Sequence, residues 1–550
     1  MTIELEFLPA DVLGLSPLSR RLLSERPASE AAPGLIVPAR IEQIPEVERD
    51  DLELFVERLE LVDRLRERSP DAPVGVARSL EKLKDPRSLA VVCGQQPGLA
   101  GGPLYNLYKA LHACRLAAAL EERFARPVVP IFWNHADDQD LSQVNHAFVL
   151  NRHLDVARAS LAGLGSGRRP YGQIVLDDER HRVGAFLENL RNLLPKRESR
   201  DANLERFAPR TGEALSAGFT RAMTHLLGHR GLLVVEPSDL RPGATRALAK
   251  LVPLDIAEAV ATAEARLQEQ GLGDPEFGEH AWAFLHEPDG RHPLRWIEGG
   301  FRRDKEPGSR TGAELAAEMT ARQHDWSPGA LLRPLVQDLC LPTVAYVGGH
   351  GELAYHALLP ELRRRAGLPA AVFVPRLSAT LVSPAASASA AKAGLGVADI
   401  LRTRGASESA GQGTQPPDPI AERILEITQE FAQAIDQQRK PLSELDRALS
   451  MRLRQSTRRA TKLIQAVARK IERVQKNRAG KDERHLRRLQ NCWYPRGAPQ
   501  ERRFTALQYV TAFGSDWIDS LYEHLDPLPT EHLVVRLPNQ PGPSGEPAAE

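Results

Sequence analysis

The sequence predicts an α/β protein: a parallel sheet with helices on both faces, interrupted by helical and mixed insertions and followed by an antiparallel helical coiled coil. Three observations lead there. Five short apolar runs, 89–93, 128–133, 232–235, 344–347 and 372–374, are separated by helical patterns, as strands buried on both faces are. Each run empties into glycine, acidic, amide or arginine residues, at the strand end where such sheets hold their ligands. Late in the chain, apolar residues from Leu442 to Val474 recur in steps of three and four, the seam of a coiled coil.

Residues 1–87 read as a mostly helical segment that packs on the core. Leu52, Phe55, Leu59, Leu61 and Leu65 approximate one helical stripe, and Ser79 to Lys84 add a second helix. The first strand of the core, which spans 88–400, feeds GQQPGLAGG at 94–102. Glycines there allow positive φ and close approach of a ligand to the backbone. Pro103 suits the first helical position, and the free amides beyond it form an electropositive start for a carboxylate or phosphate. The loop is neither G-x-G-x-x-G nor a P-loop, and an ordinary strand-to-helix turn is the alternative. On the helix, Tyr105, Lys109 and His112 share one face, while Leu104, Leu107, Tyr108 and Leu111 face the sheet. Tyr105 and Lys109 reach toward an anion at the helix start; His112 reads equally well as solvent-facing.

The second strand ends at Trp133 and runs into an acid cluster, Asp137, Asp138 and Asp140, with Asn145 and His146 shortly after. Three carboxylates so close repel unless a cation, an ammonium group or a shared proton intervenes. They suit holding an amine, binding Mg²⁺ or acting as a general base, with helix capping as the alternative. No HExxH-like spacing supports a site from His135, Asp137, Asp138 and His146, so no metal ligands are assigned. Residues 151–225 and 240–330 break the alternation and read as insertions capping the ligand edge. The second contains a hairpin, Trp282–Glu287 with Leu294–Glu298, turned at Asp289-Gly290. Arg333, Gln337 and Asp338 precede the fourth strand, Gly348 and Gly349 follow it, and Glu352 suits the next helix start. Arg376, ahead of Ser378, suits a bidentate clamp on a carboxylate or phosphate, or a structural ion pair.

A chain of 550 residues implies two or three lobes. Lys plus Arg equals Asp plus Glu at 72 each, which argues against a dedicated nucleic-acid binder. Cys93, Cys114, Cys340 and Cys492 form no CxxC pair, which fits a reduced, cytoplasmic protein. The first residues lack the basic start and apolar run of a signal peptide, and no apolar stretch has membrane-spanning length. Residues 403–419 read as a polar linker, 420–492 as coiled-coil helices with Pro441 at their junction, 493–536 as a segment returning to the core, and 537–550 as a disordered tail. Arg452, Arg454, Arg458, Arg459, Lys462, Arg469, Lys470, Arg473 and Lys476 are the solvated flank of the coiled coil, since no aromatic residues alternate with them.

The motifs GQQPGLAGGPLYNLYKAL, PVVPIFWNHADDQDLSQVNH, LLRPLVQD, LPTVAYVGGHGELAYH, FVPRLSATLV and YPRGAPQER occur in the order seen in the bacillithiol-biosynthesis cysteine-adding enzyme family (BshC), which the chain resembles from the glycine loop to near its end. The resemblance implies a Rossmann-like core with connecting insertions and a coiled coil that pairs two subunits into a homodimer. It also implies the last step of bacillithiol synthesis, joining cysteine to glucosaminyl-malate by an amide bond. Catalytic residues would be Asp137, Asp138, Asp140 and His146. Substrate contacts would come from Gly94, Gln95, Gln96, Gly98, Gly102, Tyr105, Lys109, Trp133, Asn145, Arg333, Gln337, Asp338, Tyr346, Gly348, Gly349, Glu352, Tyr355, Arg376 and Ser378. Cysteine's ammonium would meet the acid cluster, and the carboxylates of glucosaminyl-malate the helix start and Arg376. Activating a carboxylate requires an energy donor, for which ATP with Mg²⁺ is expected, although no motif shows nucleotide binding. Two positions depart from the family: Gln139 stands where it has histidine, and His350 where it has proline. Gln139 cannot act as a base, so either that histidine is dispensable or His135, His146 or His350 replaces it. A ligase or transferase for another amino-sugar or amino-acid pair, and a non-catalytic metabolite-binding scaffold, are the alternatives.

Overall fold

The computed structural model describes residues 3–46, 54–164, 167–272, 281–297, 300–303, 306, 308–403 and 419–538. Residues 404–418 of the expected linker, 539–550 of the expected tail, Leu52 of the N-terminal stripe and Glu298 of the hairpin lie outside them. The chain divides into two compact units, Met1–Pro384 with Ala498–Glu550, and Ala385–Gly497.

The first unit is built on six parallel strands: β1 (Leu35–Ile36), β2 (Leu89–Gln95), β3 (Val128–Asn134), β4 (Leu233–Val235), β5 (Thr343–Gly348) and β6 (Ala371–Pro375). Their order is β1-β6-β5-β2-β3-β4. All five apolar runs are therefore strands, and every neighbouring pair is parallel. Alternation sends successive side chains to opposite faces. Leu89, Val91 and Cys93 of β2 enter one apolar cluster, while Ala90 and Val92 enter the other.

Helix α1 (Leu104–Phe124) connects β2 to β3. Leu104, Leu107, Tyr108 and Leu111 are fully buried, each such side chain contributing about 1.5–3 kcal/mol by leaving water. The predicted polar face of α1 is buried as well. Lys109 and His112 are 2% and 0% exposed: Lys109 is enclosed by Gly94, Gln95 and Glu352, and His112 meets Pro527 of the C-terminal segment.

The N-terminal segment departs from its mostly helical expectation. It has helices at Arg58–Arg68 and Val74–Lys84, but also contributes β1 and the strand Glu4–Pro9. Glu4–Pro9 pairs antiparallel with Glu531–Arg536, which pairs parallel with Ser378–Val382. A two-residue strand is too short to display a period, which is why β1 is not visible in the sequence. In the second insertion, Ala281–Glu287 pairs with Gly290–Ile297, and Glu287 opposite Gly290 moves the turn one residue earlier, to Pro288-Asp289. No helix among the described residues is long and apolar enough to cross a membrane.

In the second unit, α2 (Pro419–Gln437) packs along α3 (Arg447–Trp493), joined by the short helix Arg439–Leu445 that contains Pro441. Ile427 and Phe431 on α2, and Ile464 and Val467 on α3, are 37–53% exposed, so each helix keeps an uncovered apolar stripe by its spacing of three or four.

Candidate active site

Strand β2 lies between β3, which follows it through α1, and β5, which comes much later in the chain. A sheet whose connections diverge like this opens a crevice beyond the carboxyl ends of the diverging strands. Lys109 of α1 reaches into it. Its Nζ donates to Gly94 O (2.8 Å) and Gln95 Oε1 (2.9 Å) and pairs with Glu352 Oε2 (2.6 Å). Glu352, at the start of the helix His350–His356, also accepts from Tyr346 OH (3.0 Å) and the Gly349 amide (2.6 Å). Burial opposes the Glu352 charge, but the Lys109 ammonium and the Gly349 amide hold the carboxyl below its ordinary range. Glycine is required at two of these strand ends. A Cβ on Gly94 would lie 2.7 Å from His135 Nε2, and one on Gly348 would lie 2.6 Å from the Phe373 ring.

The acid loop stands on the other side of β2. Gln96 Nε2 donates to Asp138 Oδ2 (3.0 Å), and the Gln139 amide donates to Asp138 Oδ1 (2.7 Å). Asp137 Oδ2 pairs with Arg241 (2.5 Å), which also approaches His286 Nε2 (3.4 Å). Arg291 lies 3.9 Å from Asp138, stacked on Phe284, and donates from Nε to Ser327 Oγ (3.0 Å). Burial lowers the Arg291 guanidinium to about 10 and the His286 imidazole to about 4. The Gln139 side-chain amide, oriented to donate, meets the carbonyls of Arg168 (3.0 Å) and Arg291 (3.2 Å), so it braces the two insertions rather than serving as a base. His135 is 7% exposed and its imidazole is held neutral, first by burial and then by nearby Arg333, Lys109 and Arg291.

Arg241, His286, Arg291 and Ser327 are the residues that the sequence reading missed. All four come from the second insertion, more than 100 positions from Asp137, where no local spacing could pair them. The composition of the loop, three acids with no lysine or arginine near them in the sequence, was the available signal that cations arrive from elsewhere.

The geometry gives several of the expected site residues partners within the chain. Asp140 caps the helix Leu141–Val144, accepting from the Ser142 amide (3.2 Å), Ser142 Oγ and Gln143. Asn145 and His146 hydrogen-bond each other (2.9 Å), with His146 edge-on to Phe148. Pro103 is the N-cap of α1 rather than its first helical residue, and the Leu104 amide donates to Phe504 O (2.8 Å). The helix start therefore spends an amide on the C-terminal segment instead of offering it to an anion. Gly102 nearby does adopt positive φ, +65°.

Arg376 is a structural ion pair, not a clamp. It meets Glu501 (2.5 Å), whose other oxygen accepts from Ser378 Oγ (3.1 Å) and the Ala379 amide (3.0 Å). Tyr105 lies under its guanidinium, 5.5 Å from the ring centre. Asp338 pairs with Arg363 (2.7 Å) and accepts from Gln337 (3.1 Å), all buried. Trp133 is a core residue, 2% exposed. Gly98 packs against Gly102, where a Cβ would meet the Gly102 Cα at 2.6 Å. Arg333, Tyr355, Tyr346 and Glu352 remain together at the crevice, close enough to act on one another's charge. Among the described residues, the one group with metal-ligand spacing is Glu287, Asp289 and His292 at the hairpin turn, and Arg303 already pairs with Glu287 (2.8 Å).

Two family profiles cover most of the chain. The bacillithiol biosynthesis BshC N-terminal Rossmann-like domain matches residues 39–377, and the BshC C-terminal coiled-coil domain matches residues 379–537. A protein of Solibacter usitatus is 28% identical over 491 residues, spanning 87% of this chain and 89% of its own length. One of Geobacillus thermodenitrificans is 30% identical over 484 residues, spanning 85% and 88%. Both carry the name "Putative cysteine ligase BshC". With a six-stranded parallel core, the two insertions, the long paired helices and both profiles in register, the chain belongs to the BshC family of bacillithiol biosynthesis.

Proposed function

We propose that this enzyme is a cysteine ligase that forms an amide bond between cysteine and glucosaminyl-malate. The observation that carries the reading is the placement of Asp138 and the Lys109–Glu352 pair on either side of β2, at one set of strand ends. Similarity to relatives named as cysteine ligases supports it. Asp138, its carboxylate fixed by Gln96 and the Gln139 amide, is suited to hold a substrate ammonium. The His135 imidazole, which burial and nearby cations keep from taking up a proton, is given no base role.

ATP with Mg²⁺ is the energy donor that such a reaction calls for. The cations at the strand ends do not form a ready phosphate cradle, because Lys109, Arg241 and Arg376 are each paired with a carboxylate. No step is assigned to the nucleotide on this geometry.

The test is to mix the purified protein with cysteine and glucosaminyl-malate, with and without ATP and Mg²⁺, and follow the thiol product by mass. Asp138→Asn, which keeps the shape and removes the charge, is expected to lower the rate by about 100-fold or more at unchanged melting temperature. Near-normal turnover by this variant would refute the role given to Asp138. Absence of product from the folded wild type would refute the ligase reading.

We also propose that two subunits pair through the exposed stripes of the second unit. Ile464→Asp or Val467→Asp is expected to halve the mass in light scattering, since a charge at an apolar seam disrupts pairing. An unchanged mass would show that the stripe does not form the interface.

A further inference from the structure

Four side chains in series run from one side of β2 to the other. Lys109 Nζ donates to Gln95 Oε1 (2.9 Å), Gln95 Nε2 to Gln96 Oε1 (2.7 Å), and Gln96 Nε2 to Asp138 Oδ2 (3.0 Å). Glu352 holds the Lys109 end at 2.6 Å. The direction of this chain is dictated by chemistry. An ammonium only donates and a carboxylate only accepts, so each of the two amides between them has a single orientation that satisfies both neighbours. Reversing either amide would face oxygen with oxygen or nitrogen with nitrogen. Lys109 is 2% exposed, and its other donor contacts, to Gly94 O and Glu352, leave it little room to move. Each glutamine uses one N–H and its carbonyl oxygen within this chain.

We infer that Gln95 and Gln96 are positioning residues, which transmit the fixed orientation of the buried Lys109 ammonium to the Asp138 carboxylate. This rests on Asp138 meeting substrate, as proposed above. Gln96 sets the carboxylate from Oδ2 while the Gln139 amide sets it from Oδ1, so the plane of the group is determined at both oxygens. Gln95 acts only through Gln96. Hydrogen bonds to a charged group are worth more than neutral ones, which makes the two end links, Lys109 to Gln95 and Gln96 to Asp138, stronger than the one between the amides.

The experiment combines Gln95→Glu and Gln96→Leu, singly and together. Gln95→Glu is nearly isosteric and keeps the acceptor for Lys109, but it loses the donor that orients Gln96. Its cysteine KM is expected to rise about ten-fold and that of Gln96→Leu about thirty-fold, with kcat changing less and the melting temperature held. Because the two act in series, the double variant is expected to match Gln96→Leu alone. Additive effects, or a normal cysteine KM in Gln95→Glu, would overturn the inference. A crystal structure of Gln95→Glu gives a readout independent of turnover, in which the Asp138 carboxylate is expected to rotate away from Gln96. Rotation with an inactive wild type would sink the ligase reading and leave the chain of orientation standing. An unmoved Asp138 would sink the chain whatever the activity.

Discussion

Lys109→Met is expected to be among the most damaging single substitutions in the first unit. The methionine fills the same volume but removes the ammonium that faces Glu352, Gly94 O and Gln95 Oε1. Glu352 would then be a buried carboxylate without its direct ion-pair partner, left with Tyr346 OH and the Gly349 amide as donors and Arg333 as the nearby cation. Breaking a buried pair from one side typically costs about 3–5 kcal/mol, far more than deleting both members together. Lys109→Met with Glu352→Gln is therefore expected to recover most of the lost stability. Denaturant midpoints of the wild type, the two single variants and the double variant check this. A loss below about 1 kcal/mol for Lys109→Met would mean that the pair behaves as a solvated one. Activity is not expected to return in the double variant, because the orientation of Gln95 is still missing.

How much of this site was legible beforehand follows from the range of each interaction. The strands and the glycine turns could be read because apolar runs and Cβ-free positions are local signals. The cap at Asp140 was open as an alternative for the same reason, since its acceptor role needs only Ser142 and Gln143. The counter-ions were not legible. Arg241 is 104 positions from Asp137, and Glu501 is 125 from Arg376, so a carboxylate suited to bind a ligand and one already paired look identical in sequence. The same blindness affected α1. Its spacing separates a polar from an apolar face, yet Pro527 closes over His112 on the polar one from 415 positions away. A buried polar face reads as a solvent face whenever its side chains are satisfied by distant parts of the chain. His112 shows this directly, with Nε2 at 2.8 Å from Pro527 O and Nδ1 accepting from the Leu377 amide at 3.1 Å.

Buried histidines give the second large effect, a loss of stability in mild acid. Burial lowers His112, His286 and His532 to about 4 and His356 to about 3, against about 6.5 in an unfolded chain. All four lie in the first unit. Their surroundings disfavour a proton: His532 bridges Ser378 and Thr380, and His356 is stacked between the rings of Tyr346 and Tyr355. Each is neutral when folded and protonated when unfolded at pH values between its two pKa values. The unfolded state then binds more protons, so stability is complete above about pH 6.5 and falls as pH drops toward 4. The slope is about 1.4 kcal/mol per pH unit for each histidine. With four acting together, the net stability typical of a domain, about 5–15 kcal/mol, is consumed within a few pH units. Paired carboxylates act later. Burial would raise Glu501, but Arg376 overrides it and holds the group at about 2, so its contribution declines only below the ordinary carboxylate range. Urea midpoints at about pH 7.5, 6.5 and 5.5 are therefore expected to fall steeply over the last interval and little over the first. His532→Gln, which removes one titrating ring, is expected to reduce proton uptake on unfolding near pH 5.5 by about one. Flat stability from about pH 7.5 to 5.5 would mean that these rings take up protons without unfolding, and so are hydrated rather than sealed in the core.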